Sequence, residues 1–124
     1  MNFSESSEFK KDKKALSKTR VRTLDSDIER AKKAITALYV PVAGVDITEY
    51  RKAFFDNKRA TIRHTTETHE VIKMRLDTDT NTMRNKLRLV FVAVISGNDV
   101  TFLELYSKND KSREDQQRVQ RYLT

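Results

Sequence analysis

Two stretches decide the fold: EVIKMRL, from Glu70 to Leu76, and LRLVFVAVI, from Leu87 to Ile95. In the first, Ile72, Met74 and Leu76 alternate with Lys73 and Arg75, the period of a strand with one buried and one polar face. The second is a near-continuous apolar run, as expected of a central strand covered on both sides, and Arg88 is its only charge. Ser96, Gly97, Asn98 and Asp99 have turn chemistry, after which VTFLELY, from Val100 to Tyr106, returns as an antiparallel partner.

Outward from this β block, the chain up to Tyr39 reads as helical. Ser4 to Ser7 cap a first helix whose Phe9 and Leu16, seven residues apart, share a face. After a break around Thr19 to Arg22, Thr23 is placed as an N-cap, and Asp25 and Asp27 suit the positive end of the helix dipole. Leu24, Ile28, Ala31, Ile35 and Leu38 then form an amphipathic stripe that Pro41 ends. Ile47, Tyr50 and Phe54 have the spacing of a short third helix, and Asp56 to His69 reads as a polar loop with room for a short strand near Ile62. The chain closes on a helix capped by Ser112, with Val119, Tyr122 and Leu123 as apolar contacts. The expected fold is α+β: an N-terminal helical hairpin packed on a small antiparallel sheet, with a C-terminal helix, in one domain spanning residues 1–124.

A chain of 124 residues carrying a formal net charge of +7 is drawn to polyanions, because each phosphate neutralised releases condensed counterions. No cysteine is present, which excludes disulfides and thiolate metal sites. The longest apolar run, Leu89 to Ile95, falls far short of the ~20 residues that span a bilayer, so a cytoplasmic protein without membrane contact is expected. No glycine-rich phosphate loop occurs, which argues against nucleotide hydrolysis. His64 and His69 stand in a polar stretch without thiols and read as solvated loop residues, so neither a metal nor a cofactor is expected. The basic run Lys10 to Arg22 suits either an RNA-backbone contact or a solvated helix face.

Strand alternation yields a concrete site. If Leu87, Leu89, Phe91, Ala93 and Ile95 face the helices, Arg88 joins Lys73 and Arg75 on the opposite, open face. The returning strand adds Glu104 and Tyr106 there, and its exit supplies Lys108 and Lys111. Such cations would hold a phosphate, while the tyrosine ring would stack a base. The same alternation also suits a merely solvated sheet face.

The order of a lysine-rich helical hairpin, VIKMRL, LRLVFV, a tight turn and then FLELYSKNDKSRED resembles the RelE/ParE superfamily of bacterial toxins over nearly the whole chain. ELYSKNDK with the acidic helix start that follows is the most specific part, and FKKDKKAL is similar to the family's first helix. The resemblance implies a metal-independent mRNA endonuclease acting on the ribosome, through attack of a ribose 2′-OH on the adjacent phosphate. It implies an antitoxin partner that covers the basic face, possible assembly into a hetero-oligomer with it, and no cofactor. Lys73 becomes the candidate base or 2′-OH activator, Arg75 and Arg88 the stabilisers of phosphoryl charge. Tyr106, Lys111, Arg84 and Lys86 become RNA contacts. Asn109 and Asp115 stand where the family pattern has an arginine and a tyrosine. The general acid is therefore open among Lys108, Lys111 and Tyr106, with Lys108 first. Two alternatives stand beside this: a non-enzymatic toxin of the ParE branch that binds DNA gyrase, and a non-catalytic RNA-binding domain.

Overall fold

In the computed structural model, residues 1–19, 21–56 and 59–123 are described. In chain order these form strand β1 (Asn2–Glu5), helices α1 (Ser7–Thr19), α2 (Leu24–Tyr39) and α3 (Ile47–Asp56), and strands β2 (Ala60–Thr65) and β3 (His69–Arg75). After a short 3-10 turn (Asn81–Met83) come β4 (Leu87–Val94), β5 (Asp99–Ser107) and helix α4 (Gln116–Gln120). The fold is α+β as expected, but its sheet is larger, five-stranded in the order β1-β5-β4-β3-β2, and mixed because β1 runs parallel to β5. The short strand expected near Ile62 is β2, at one edge of the sheet, and β1 at the other edge is additional. Short edge strands carry polar side chains and so leave little hydrophobic alternation to read: β1 is NFSE and β2 is ATIRHT.

Helices α1 and α2 cover one sheet face. Phe9 and Leu16 of α1 and Leu24, Ile28, Ala31 and Ile35 of α2 pack with Ile72, Met74 and Leu76, and with Leu87, Leu89, Phe91 and Ala93. Ile95 was expected to continue that row, but β4 ends at Val94 and Ile95 stands 43% exposed in the turn that follows. Phe102 is the aromatic hub, with ring centroids 5.3 Å from Phe9, 5.7 Å from Phe3 and 6.5 Å from Phe91.

A bulge in β5 adjusts its parity. Val90 pairs with Glu104 but Phe91 with Phe102, leaving Leu103 as the extra residue. Phe102 and Leu105 therefore both face the helices, while Leu103 and Tyr106 turn to the other side. That second face is not open along its length. Val71, Val90, Val92, Leu103 and Tyr106 bury themselves against Val119 of α4, with Leu123 beside them.

The caps differ in detail from expectation. Ser6, inside the anticipated Ser4–Ser7 window, accepts a hydrogen bond from the Phe9 amide at 3.1 Å. Thr23 makes no side-chain cap; its hydroxyl donates to the buried Asp27 carboxylate at 2.9 Å. Asp115, not Ser112, caps α4, accepting from the Gln117 and Arg118 amides, and Tyr122 lies 36% exposed outside the packed contacts. A carboxylate directly ahead of the first helical turn is the better acceptor for these amides. No helix among the described residues is long and apolar enough to cross a membrane.

Phe9→Ala removes a fully buried ring from the Phe102 hub. It is expected to lower the unfolding free energy by about 3–5 kcal/mol in urea titration, the range for buried aromatic truncation.

Candidate functional site

Register places the three anticipated strand cations together. Arg75 of β3 pairs directly with Arg88 of β4, and Lys73 lies two residues back opposite Val90. Lys73, Arg75 and Arg88 line one concavity of about 110 Å³, completed by Arg59, Thr61 and the edge of Met74. Two arginines directly opposite one another on a strand pair repel, so the arrangement calls for an anion between or above them. Among the described residues Arg88 donates only to the backbone carbonyls of Asn85 and Leu87, at 3.1 and 3.0 Å. Among the described residues no carboxylate pairs with Arg75 or Arg88. Burial first, and then the Arg75 charge, lower the Arg88 guanidinium from its ordinary pKa, with Tyr106 opposing.

The concavity's other two cations do have partners. Arg59 is ion-paired with the exposed Asp77. Lys73 Nζ lies 3.5 Å from Glu114 Oε1, and Arg63 Nε donates to Glu114 Oε2 at 2.9 Å. The Glu114 carboxylate is only 1% exposed. Burial pushes its pKa up, but the hydrogen bonds from its own backbone amide and from Arg63, with the charges of Lys73 and Arg63, outweigh this and hold it below the ordinary value. One face of the sheet thus carries a charge gradient: cations neutralised by Glu114 toward α4, unneutralised arginines at the far end.

The remaining anticipated residues lie elsewhere or are engaged. Tyr106 does not stand open for base stacking: it is 6% exposed, Lys111 Nζ sits 5.0 Å above its ring, and its buried hydroxyl has no hydrogen-bond partner among the described residues. Burial, reinforced by Glu114 and Glu104 against Arg88 and Arg63, pushes that hydroxyl up to about 12, so it stays protonated at neutral pH. Lys111 is ion-paired with Glu104, a nearly fully buried carboxylate that also accepts from the Asp115 amide at 2.8 Å. Both residues fasten the segment leading to α4, and that covering segment is why the expected open face closes here. Lys108 is exposed just past β5, its amide donating to the Lys86 carbonyl at 2.8 Å, and it does not line the concavity. Arg84 is exposed and bonded to Asn81, and Lys86 is half-buried ahead of β4; neither lines the concavity.

Three residues of the cluster escape a sequence reading. Arg59 and Arg63 flank and occupy β2, the short strand expected near Ile62 in an otherwise polar stretch; a bulge there, with Ile62 opposite Ile72 and His64 opposite Val71, leaves Arg63 as the extra residue. Glu114 falls in an acidic helix start, where a carboxylate ordinarily serves the helix dipole. Of the basic run ahead of α2, Arg20 lies outside the described residues; Lys13 is ion-paired with Glu5 at 2.8 Å, and Lys10, Lys11, Lys14 and Lys18 are exposed on α1. Set against known proteins, the chain matches no family model, no curated protein and no solved structure.

Because the folded Glu114 carboxyl titrates below its ordinary value of 4.5, its contribution is complete above that value and is lost as pH falls through the folded one. Glu114→Gln is therefore expected to be less stable than wild type at pH 7 by about 2 kcal/mol. In urea titrations at a series of pH values, that gap is expected to narrow below 4.5.

Proposed function

We propose that the protein is a metal-independent endoribonuclease of the RelE-like toxin kind, gripping a phosphate of mRNA in the concavity formed by Arg59, Lys73, Arg75 and Arg88. The observation that carries this reading is the Arg75–Arg88 cross-strand pair, two adjacent guanidiniums without a carboxylate partner among the described residues. An arginine pair of this kind suits a phosphodiester, which each guanidinium meets with parallel N–H donors. Two strands, β3 and β4, and the approach to β2 position these groups, so the donors need little reorganisation when charge develops.

The chemistry such a site serves is transesterification. The ribose 2′-oxygen bonds to the adjacent phosphorus, the bond from phosphorus to the 5′-oxygen breaks, and the products are a 2′,3′-cyclic phosphate and a 5′-hydroxyl end. Arg75 and Arg88 neutralise the charge growing on the non-bridging oxygens, and Lys73, steadied by Glu114, lies within the same concavity to orient the 2′-hydroxyl. The 2′-hydroxyl proton leaves to a base, and the 5′-oxygen takes one up. With Tyr106 buried, Lys111 ion-paired with Glu104 and Lys108 outside the concavity, none of the three anticipated donors serves the latter step, which favours delivery by the ribosome. An antitoxin of net negative charge, covering the basic face, fits the +7 charge of the chain.

The lack of an evident proton donor also favours a second reading, a domain that holds RNA without cutting it. Translating ribosomes supplied with a defined message separate the two. For the nuclease, new 5′-hydroxyl ends are expected, and Arg88→Ala is expected to lower the cleavage rate roughly a hundredfold or more while leaving the fold intact. Growth arrest on expression is expected to be relieved by the same substitution. Undiminished cleavage by Arg88→Ala and Arg75→Ala would remove the assigned site. Arginine-dependent, salt-sensitive binding with an intact message would establish the second reading, and inhibited gyrase supercoiling with intact message would point to a DNA-topology poison.

A further inference from the structure

Beneath α3 lies a cleft of about 290 Å³ whose walls are Ala34 of α2, Tyr50, Ala53 and Phe54 of α3, and Met74 of β3. The cleft exists because α3 docks without burying itself. Its Ile47, Tyr50 and Phe54 have the spacing of an apolar stripe, yet none of its residues is buried. The small side chains Ala34 and Ala53 leave the intervening space unfilled, so the stacked Tyr50 and Phe54 rings, 6.2 Å apart, lack packing partners on the cleft side. The mouth is polar and mostly cationic: Arg59 and Arg75, with Asp77 tied to Arg59.

Arg59, Met74 and Arg75 line both this cleft and the phosphate-sized concavity on the other side of the sheet corner, where β2 begins and β3 ends. The two volumes are thus neighbours: one apolar and aromatic-walled, the other cationic, with arginines between them. That is the chemical division of a nucleotide, a flat base joined through its sugar to a phosphate. Aromatic side chains and guanidinium planes both offer faces to a base, without hydrogen-bond readout. The volume sits at the small end of ligand pockets, which suits one base and not a length of chain. We propose that this cleft receives a single nucleobase of the RNA whose neighbouring phosphate is held among Arg59, Lys73, Arg75 and Arg88. The inference rests on the RNA reading above and adds a second subsite to it. An apolar side chain from a protein partner would fill the cleft equally well by shape, but would leave Arg75 at its mouth unanswered.

The test uses the full chain and short single-stranded RNAs carrying 2′-O-methyl groups, which cannot cleave, with an abasic sugar placed at each position in turn. Affinity is read by fluorescence anisotropy. In wild type, one abasic position is expected to weaken binding roughly tenfold, the scale of one lost base–aromatic stack. Ala53→Trp fills the cleft from an exposed position on α3. It is expected to weaken the intact RNA by a similar factor and to make that abasic substitution silent. Ala53→Leu should give the same pattern at smaller size, and the wild-type scan stands without either variant. A flat scan in wild type, or losses that multiply in Ala53→Trp, overturns the base site. If Arg75-dependent binding persists beside a flat scan, only this subsite falls. If no RNA binds better than it does to Arg75→Ala, the RNA reading falls with it. Loss of a protein partner on Ala53→Trp with the RNA scan unchanged assigns the cleft to an apolar side chain and likewise overturns the proposal.

Discussion

Pairing Met74 with Leu89 and Arg75 with Arg88 across β3 and β4 sends apolar side chains toward the helices and cations toward the other face. A slip of one residue would exchange the faces, driving Lys73 and Arg75 beneath α2 and exposing Ile72 and Met74. Because one face must bury its hydrophobic row, the register is fixed by burial, and the cationic cluster follows from it. The bulge at Leu103 belongs to the same constraint, since without it Phe102 and Leu105 could not both reach the helical core.

On the far face, two buried carboxylates organise the covering segment. Glu104 anchors Lys111 and the Asp115 amide, and Glu114 holds Arg63 and Lys73. Arg118 adds a third tie, reaching from α4 to Asp12 of α1 at 2.7 Å and to the Leu103 carbonyl at 2.9 Å. Burial opposes its charge, but the bond to Asp12 and the charges of Asp12, Glu104 and Glu8 prevail and raise its pKa. Removing any one of these partners leaves a charge in a poorly solvated place, which is why the segment stays down over Tyr106. The same anchoring stops short of Arg75, which is exposed, and Arg88, which is half-buried.

Much of this arrangement is legible in the sequence. The 2-residue alternation in β3 and the apolar run of β4 forced the parity of Lys73, Arg75 and Arg88, and the stripe from Leu24 to Leu38 forced the packed face of α2. What stayed hidden lay where local pattern is weak. The edge strand β1 has exposed or half-exposed side chains and no hydrophobic period, so its pairing is decided by the neighbour strand; β2, expected near Ile62, buries only Ala60, and its bulge at Arg63 is set by pairing with β3. Tyr106 has the same parity as Arg88, as alternation requires, yet parity says nothing about what lies on top. Lys111 and α4 cover it by contacts between residues that the sequence does not mark as neighbours.

Local chemistry along the chain is therefore enough to determine the main helices and central strands, the core face of each of those strands and the identity of three clustered cations, because side-chain period and burial act over a few residues. Only the tertiary structure decided which charges are neutralised: Glu114 reaches Lys73 and Arg63, and nothing acidic among the described residues reaches Arg75 or Arg88. Charge pairing acts through space over a few ångströms, between segments tens of residues apart, and no local pattern encodes that distance.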